Sequence, residues 1–116
     1  MKDYMMLFRG ADYGDLGLSP EDVQARMGKW FAWGDKMAKA GHLVGGEALN
    51  ASTMKRVSGP NRTVSDGPFG EGKELIGGYY IVKANSVEEV VEISQDYPDY
   101  DLDGTVEIRE IVVFEN

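Results

Sequence analysis

The chain has 116 residues, of which 42% are hydrophobic and 28% are charged, and its formal net charge is −8. This size and composition predict one folded domain over residues 1–116, and the negative charge argues against nucleic acid and anionic membrane surfaces as partners. Because there is no cysteine, disulfides, zinc-thiolate sites, iron–sulfur clusters and thiol nucleophiles are excluded. The N-terminal segment has the pattern of neither a signal peptide nor a membrane span, so we expect a cytoplasmic protein.

The first part of the chain predicts a strand, a long helix and a second strand. The segment Asp3 to Arg9 is apolar on both faces, which indicates an internal strand. The helix begins with Ser19 as N-cap and Pro20 as its first residue, and Gly41 ends it in the left-handed conformation. Residues 42–49 follow as a strand with a bulge at its paired glycines. The apolar stripe of the helix consists of Val23, Met27, Trp30, Phe31, Gly34, Met37 and Ala38.

The first helix contains both large aromatic residues and glycines. Trp30 and Phe31 lie on the apolar stripe and are predicted in the core, whereas Trp33 lies off its centre and suits either the core, a pocket or a dimer contact. Gly28 and Gly34 each weaken the helix by roughly 1 kcal/mol relative to alanine. We therefore expect another part of the chain to approach closely at these glycines.

The second part of the chain predicts a hairpin, a central strand, a second helix and a closing strand. Residues 54–57 and 63–65 flank a Gly-Pro loop and form the hairpin, and the apolar run 77–82 indicates a central strand. The second helix opens with a capping box at Ser86 to Glu89 and ends at Tyr97-Pro98. Thr105 to Phe114 closes the chain as a strand rich in β-branched residues.

This order of elements predicts an α+β fold, a ferredoxin-like βαββαβ sandwich with an inserted β-hairpin. Both helices would cover one face of a mainly antiparallel sheet. The other face still carries large side chains, and we expect a second copy of the chain to cover it, which makes the protein a homodimer.

Four separated motifs resemble those of the YCII-related family, also called the DGPF-domain family. They are the Asp-Gly-Pro-Phe run at 66–69 with the Lys-Glu and Gly-Gly-Tyr-Tyr segments that follow it, the Gly-Gly-Glu segment within 40–49, the opening strand at 4–7 and the closing strand at 106–109. The resemblance covers nearly the whole chain and implies a dimeric α+β barrel, in which two ferredoxin-like protomers pack their sheets face to face. Members of the family are mostly of unknown function. Some resemble small-molecule enzymes of the same fold, and some are associated with sigma factors.

His42 and Asp66 are the candidate catalytic residues, as an acid–base pair. A carboxylate beside an imidazole raises the pKa of the imidazole and fixes its tautomer, as general-base chemistry requires. The alternative is that His42 packs just after the end of the first helix, where a protonated imidazole interacts favourably with the helix dipole. The spacing of the two residues does not decide between these possibilities.

Glu47, Arg62, Phe69 and Lys73 are the candidate ligand-binding residues. Arg62 and Lys73 are the cations nearest the loop after the hairpin, so they could hold an anionic group such as a carboxylate. The alternative is that they are solvated and paired with neighbouring glutamates. The first possibility implies a small anionic molecule in a pocket formed by this loop, the strand from His42 to Glu47 and the first helix.

We expect neither a metal nor another cofactor. The carboxylates of Asp66, Glu47, Glu71 and Glu74 could bind a divalent cation, but such clusters arise easily in an acidic chain. A second acidic stretch matches the spacing of an EF-hand loop, with Asp99, Asp101, Asp103 and Glu110. Because Pro98 interrupts the entering helix and a strand replaces the exiting one, we interpret this stretch as an acidic turn.

Two classes of function fit these features. The first is a small-molecule-binding protein or a cofactor-independent acid–base enzyme, in which His42 and Asp66 move protons at a pocket beside the DGPF loop. The second is a non-catalytic regulatory or protein-interaction module. An enzyme requires at least one accessible acid or base with a perturbed pKa, whereas an interaction module does not.

Overall fold

The computed structural model describes residues 1–67 and 75–115 and confirms the predicted α+β class. A β-α-β unit is followed by a hairpin and then by a second β-α-β unit. The strands and helices are β1 (Lys2–Arg9), α1 (Pro20–Lys39), β2 (Leu43–Ala48), β3 (Lys55–Ser58), β4 (Thr63–Asp66), β5 (Ile76–Ala84), α2 (Val87–Ile93) and β6 (Thr105–Glu110). In the described part of the chain, no helix is long and apolar enough to cross a membrane.

Four strands form one antiparallel sheet in the order β2–β5–β1–β6. This is the strand order of a ferredoxin-like arrangement, so the prediction of that fold is confirmed. The strands predicted as internal, β1 and β5, pair with each other at the centre of the sheet. β3 and β4 form a separate two-stranded sheet, and their bounds agree with the predicted hairpin to within about one residue.

Helix α1 begins and ends where the sequence predicts. The Ser19 hydroxyl accepts a 3.1 Å hydrogen bond from the Asp22 amide, which satisfies one of the free N–H groups of the first turn. Pro20 occupies the first helical position, where its missing N–H causes no loss. After the helix ends, Gly41 adopts a φ of +80°, a conformation that favours glycine.

The buried face of α1 differs from the predicted stripe. Trp33 and Met37 are both 3% exposed, and Trp30 packs against the same core. Phe31 is 70% exposed, so the prediction that it lies in the core is wrong. The physical reason is that positions 30, 33 and 37 lie along one line of the helix, whereas position 31 is rotated by about 100° from position 30.

The core lies between the two helices and one face of the sheet. Phe8 is at its centre, with ring centroids of neighbouring aromatic residues 5.0–5.7 Å away, namely Trp30, Tyr80, Tyr97 and Trp33. The opposite face of the sheet, which we call the open face, carries four partly exposed apolar side chains, Met5, Leu7, Tyr79 and Ile81. The helices therefore cover only one of the two faces of the sheet. The molecule is flat and measures 48 × 41 × 18 Å.

Strands β2 and β5 approach each other very closely. The register shifts between Leu43 and Gly45, which confirms the predicted bulge. A Cβ atom at Gly46 would lie 2.3 Å from the Tyr79 carbonyl oxygen, so only glycine fits this position. Of the two glycines predicted to allow a close approach in α1, Gly34 lies beside the Tyr80 hydroxyl, whereas a Cβ at Gly28 would meet nothing within 4 Å.

The capping box of α2 is present with a small difference. The Glu89 amide donates a 3.2 Å hydrogen bond to the Ser86 hydroxyl, as the motif requires. The Glu89 carboxylate accepts its hydrogen bond from the Asn85 amide, one residue before the N-cap. A 3₁₀ turn over Ser94–Asp96 follows α2 and ends before Pro98, where the helix was predicted to stop.

The closing strand is shorter than the sequence predicts. It ends at Glu110 rather than at Phe114, and the next amide, that of Ile111, donates a last 2.9 Å hydrogen bond to the Asp3 carbonyl. Its neighbour β1 begins at Lys2, so the residues after Ile111 have almost no further β1 backbone beside them. The side chains of residues 112–114 are 67–86% exposed.

Candidate functional site

A cleft of about 460 Å³ lies between the first half of α1 and the end of the sheet where β2 and β5 pair. Loop residues 10–13 and the segment at Tyr97 and Asp99 form its other walls. Its surface is mostly apolar, with large side chains from Phe8, Met27, Trp30, Phe31, Leu49, Leu75, Tyr80 and Tyr97. A concave, aromatic surface of this size is typical of a small-molecule site.

A chain of hydrogen bonds crosses one end of this cleft. The Trp30 indole N–H donates to the Tyr13 hydroxyl at 3.0 Å, and that hydroxyl donates to Asp99 Oδ2 at 2.7 Å. Arg26 donates to the other carboxylate oxygen of Asp99 at 3.2 Å. It also binds Asp101 through both of its terminal nitrogens, at 2.9 and 2.6 Å. The network thus attaches two distant loops to α1.

Local sequence explains the shape of the loop that carries Asp99. The Asp99 carbonyl accepts hydrogen bonds of 3.0 Å from the amides of Leu102 and Gly104. Between them Asp103 has a φ of +62°, which aspartate tolerates better than most residues. The acidic stretch is therefore a turn, as expected, and the carboxylates of Asp99 and Asp101 are held by Arg26.

The tyrosines of the cleft have raised pKa values. Burial and the hydrogen bond to Asp99 raise the pKa of Tyr13 to about 12. Burial also raises the pKa of Tyr97, with a smaller contribution from the Asp99 carboxylate, and burial raises the pKa of Tyr80. These phenols are protonated at neutral pH, so they act as hydrogen-bond donors rather than as bases.

His42 and Asp66, the predicted acid–base pair, have different partners. The His42 ring is hydrogen-bonded through Nδ1 to the Lys83 carbonyl at 2.8 Å, and the same nitrogen lies 4.0 Å from the Glu89 carboxylate. Asp66 belongs to the β3–β4 hairpin, where it forms an ion pair with Lys55. Among the described residues, no hydrogen bond or ion pair joins His42 to Asp66.

The predicted ligand-binding residues are dispersed. Glu47 lies along the cleft, but the β2–β5 register pairs it with Tyr79, so its side chain belongs to the open face. Arg62 lies in the turn of the hairpin with a φ of +53° and is exposed. Phe69 and Lys73 lie outside the described residues, as do Glu71 and Glu74 of the considered metal set.

The sequence interpretation missed Arg26, Tyr13 and Tyr97. A signal for Arg26 was present, because it lies four residues before Trp30 and thus on the buried face of α1. A charged side chain on a buried helix face needs an opposite charge, and the acidic run at 99–103 is the nearest match in composition. Nothing local to Tyr13 or Tyr97 pointed to the contacts that they make.

The model of the YCII-related domain matches residues 4–115 of the chain. The matched region includes all strands and helices of the described chain except the first two residues of β1, and it includes both loops that border the cleft. No curated protein matches the chain.

Proposed function

The chain belongs to the YCII-related domain family, a family of unknown function, and we propose that this member binds a small molecule in the cleft between α1 and the paired ends of β2 and β5. The observation that supports this proposal is a cavity with aromatic walls. Hydrogen bonds hold the loops around this cavity in place. A preformed site requires little ordering when the ligand arrives, which favours affinity.

Binding is better supported than acid–base catalysis by His42 and Asp66. The titratable cleft residues with clearly perturbed pKa values are phenols, and each is shifted away from the range in which it could accept a proton at neutral pH. His42 borders a different depression, which it shares with Trp33, Met37 and α2 residues. The proton-transfer role of the pair remains a prediction.

We also propose that the protein is a homodimer whose protomers pack through their open faces. Met5 and Leu7 of β1 pair with Ile81 and Tyr79 of β5, so the four side chains form one apolar patch. The edge strand β6 adds Glu107 and Arg109 opposite Leu7 and Met5. An apolar centre beside charged residues is the usual arrangement of a protein interface.

The two tryptophans provide a direct test of binding. The Trp30 indole N–H lies at the cleft, whereas the Trp33 indole N–H donates to the Ile93 carbonyl at 3.1 Å. In a nuclear magnetic resonance screen of small apolar compounds, we expect binders to shift the Trp30 signal more than the Trp33 signal.

A matched pair of variants locates the site. Phe31→Ala removes an exposed aromatic side chain at the cleft, and Phe114→Ala removes one that is 86% exposed elsewhere. Phe31→Ala should weaken binding while Phe114→Ala leaves it unchanged. A screen in which no compound shifts the Trp30 signal, or in which both variants bind like the wild type, would count against the cleft as the binding site.

A further inference from the structure

We infer that the cleft selects a neutral, mostly apolar molecule whose carbonyl oxygen accepts a hydrogen bond from the Tyr97 hydroxyl; this inference rests on the proposed function. It specifies the chemical class of the ligand and the residue that recognises it. Three properties of the cleft lead to it: an unused donor, the absence of cationic side chains among its described residues, and an anionic group that already has its counter-charge.

Tyr97 provides the unused donor. Its side chain is 5% exposed and lines the cleft, and among the described residues its hydroxyl has no hydrogen-bond partner. Every fully buried side-chain nitrogen or oxygen in that same part of the chain does have a partner. The Tyr97 oxygen must therefore retain a small accessible area, and the cleft provides it.

Two glycines determine the surroundings of this hydroxyl. A Cβ at Gly10, a cleft residue, would lie 3.8 Å from the Tyr97 oxygen, and a Cβ at Gly104 would lie only 2.3 Å from it. The missing side chain at Gly10 leaves the oxygen uncovered on the cleft side. Because this hydroxyl makes no hydrogen bond within the described chain, a ligand acceptor can bond to it without breaking a contact of the protein, and it gains the net value of one neutral hydrogen bond.

The other phenol at this end of the cleft is already occupied. Tyr13 donates to Asp99 and accepts from Trp30, so its donor is not available to a ligand. Tyr97 has a raised pKa, caused mainly by burial, and so it keeps its proton and its donor capacity at neutral pH. The protonated hydroxyl can donate to an acceptor on the ligand, and this is the contact that we infer.

The charges at the cleft argue against an ionic ligand. The cleft residues that the structure describes include no lysine, arginine or histidine. Their charged members are Asp12, Asp99 and Glu47, and the side chain of Glu47 belongs to the open face. A carboxylate or phosphate on the ligand would enter without a counter-charge, which is costly in a partly buried site. Asp99 already pairs with Arg26, so it offers little to a cationic ligand. The expectation of an anionic molecule depended on Arg62 and Lys73; Arg62 lies in the hairpin turn and does not line the cleft, and Lys73 lies outside the described residues.

The test uses four bicyclic compounds of nearly the same size. They are 1-tetralone, tetralin, 1-aminotetralin and tetralin-1-carboxylate, which carry a carbonyl, no polar group, a cation and an anion respectively. Each is titrated into the full-length protein while the Trp30 indole signal is followed. We expect 1-tetralone to bind tightest, with an advantage of about fivefold over tetralin, the size of one neutral hydrogen bond.

Two tyrosine variants identify the donor. Tyr97→Phe should remove the preference for 1-tetralone over tetralin, whereas Tyr4→Phe, at a tyrosine that is 3% exposed and away from the cleft, should retain it. Because Tyr97→Phe removes an unpaired hydroxyl, its melting temperature should equal or exceed that of the wild type.

The outcomes separate the two proposals. If the compounds shift the Trp30 signal but 1-tetralone has no advantage, or keeps it in Tyr97→Phe, the inference is overturned and the cleft remains a binding site. Tightest binding of the amine or the carboxylate also overturns it. If none of the four shifts the Trp30 signal, the proposed function fails and the inference fails with it.

Discussion

The Tyr13 hydroxyl donates a 2.7 Å hydrogen bond to Asp99, a residue 86 positions further along the chain. This contact joins the loop after β1 to the turn before β6, and Arg26 attaches the same carboxylate to α1. The side chains of Arg26 and Asp99 are only 14% and 13% exposed, so water screens their interaction weakly. The shape of the cleft therefore depends on a small number of polar groups outside the apolar core.

Replacing Arg26 by methionine should destabilise the protein strongly. The substitution retains much of the apolar volume but leaves the Asp99 carboxylate with little exposure and without its cation. We expect the free energy of unfolding to fall by about 3 kcal/mol, measured by urea denaturation at neutral pH. Lys39→Met is the control, because Lys39 and Asp35 form an exposed ion pair and its loss should change stability by about 0.5 kcal/mol or less. Similar effects of the two substitutions would contradict this account.

The stability of the protein should fall at alkaline pH in a way that depends on Tyr13. Its pKa is raised from 10.0 to about 12 in the folded chain, so the folded state holds the phenolic proton more tightly than the unfolded state. This contribution is complete below pH 10 and is lost as the pH rises to about 12. Urea denaturation across this range should show a shallower fall for Tyr13→Phe than for the wild type, although Tyr97 adds a slope of the same sign.

A control variant distinguishes this linkage from a general effect of removing a hydroxyl. Tyr100 donates a 2.8 Å hydrogen bond to the Ser94 carbonyl, so Tyr100→Phe also removes one hydrogen bond. That variant retains Tyr13 and should keep the steep alkaline fall. The same slope in Tyr13→Phe as in the wild type would show that Tyr13 is not the source.

Adding one methyl group at Gly46 should be far more harmful than adding it at Gly45. A Cβ at Gly46 would lie 2.3 Å from the Tyr79 carbonyl oxygen and 2.4 Å from the Tyr80 ring, so β2 would have to move away from β5. We expect Gly46→Ala to lower the free energy of unfolding by at least about 2 kcal/mol. A Cβ at Gly45 would meet nothing within 4 Å, so Gly45→Ala should be nearly neutral. Thermal unfolding of the two variants measures the difference, and equal melting temperatures would contradict it.

A charge on the open face should prevent dimer formation. The protein should elute with the mass of two chains in size-exclusion chromatography with light scattering, and Leu7→Lys should elute with the mass of one. A buried, unpaired lysine at an interface centre is highly unfavourable. Val91→Lys adds the same charge to α2, where Val91 is 45% exposed, and should leave the dimer intact. If the wild-type protein is monomeric at every protein concentration tested, the dimer proposal is wrong.

Most helices and strands of this fold could be predicted from the local sequence, because neighbouring residues determine where they begin and end. Ser19, Pro20 and Gly41 define α1 through side-chain and backbone conformation alone, and the apolar residues on both faces of β1 identify it as an internal strand. The end of β6 could not be predicted from the local sequence. It depends on where the neighbouring strand begins, which no residue between 105 and 114 encodes.

The cleft was harder to predict than the fold. Its polar network joins residues 13, 26, 30, 99 and 101, which come from three segments that are far apart along the chain. His42 and Asp66 were candidates because a carboxylate beside an imidazole suits general-base chemistry, but their spacing gave no indication of contact. The apolar stripe of α1 is wide, so it could not show that Trp33 is buried and Phe31 is exposed. Rotating the helix about its axis to bury either residue would still direct aromatic side chains toward the core.

Among the described strands, β3 and β4 lie outside the four-stranded sheet. They pair only with each other, and Val57 and Val64 are 62% and 63% exposed. A two-stranded hairpin is marginally stable by itself, so its amide protons should exchange with solvent through local opening, while those of β1 and β5 should exchange only when the whole chain unfolds. Asp66, where the DGPF sequence begins, is the last residue of this hairpin. The Asp-Gly-Pro-Phe sequence thus starts in a hairpin whose amides are expected to be less protected from hydrogen exchange than those of the central strands.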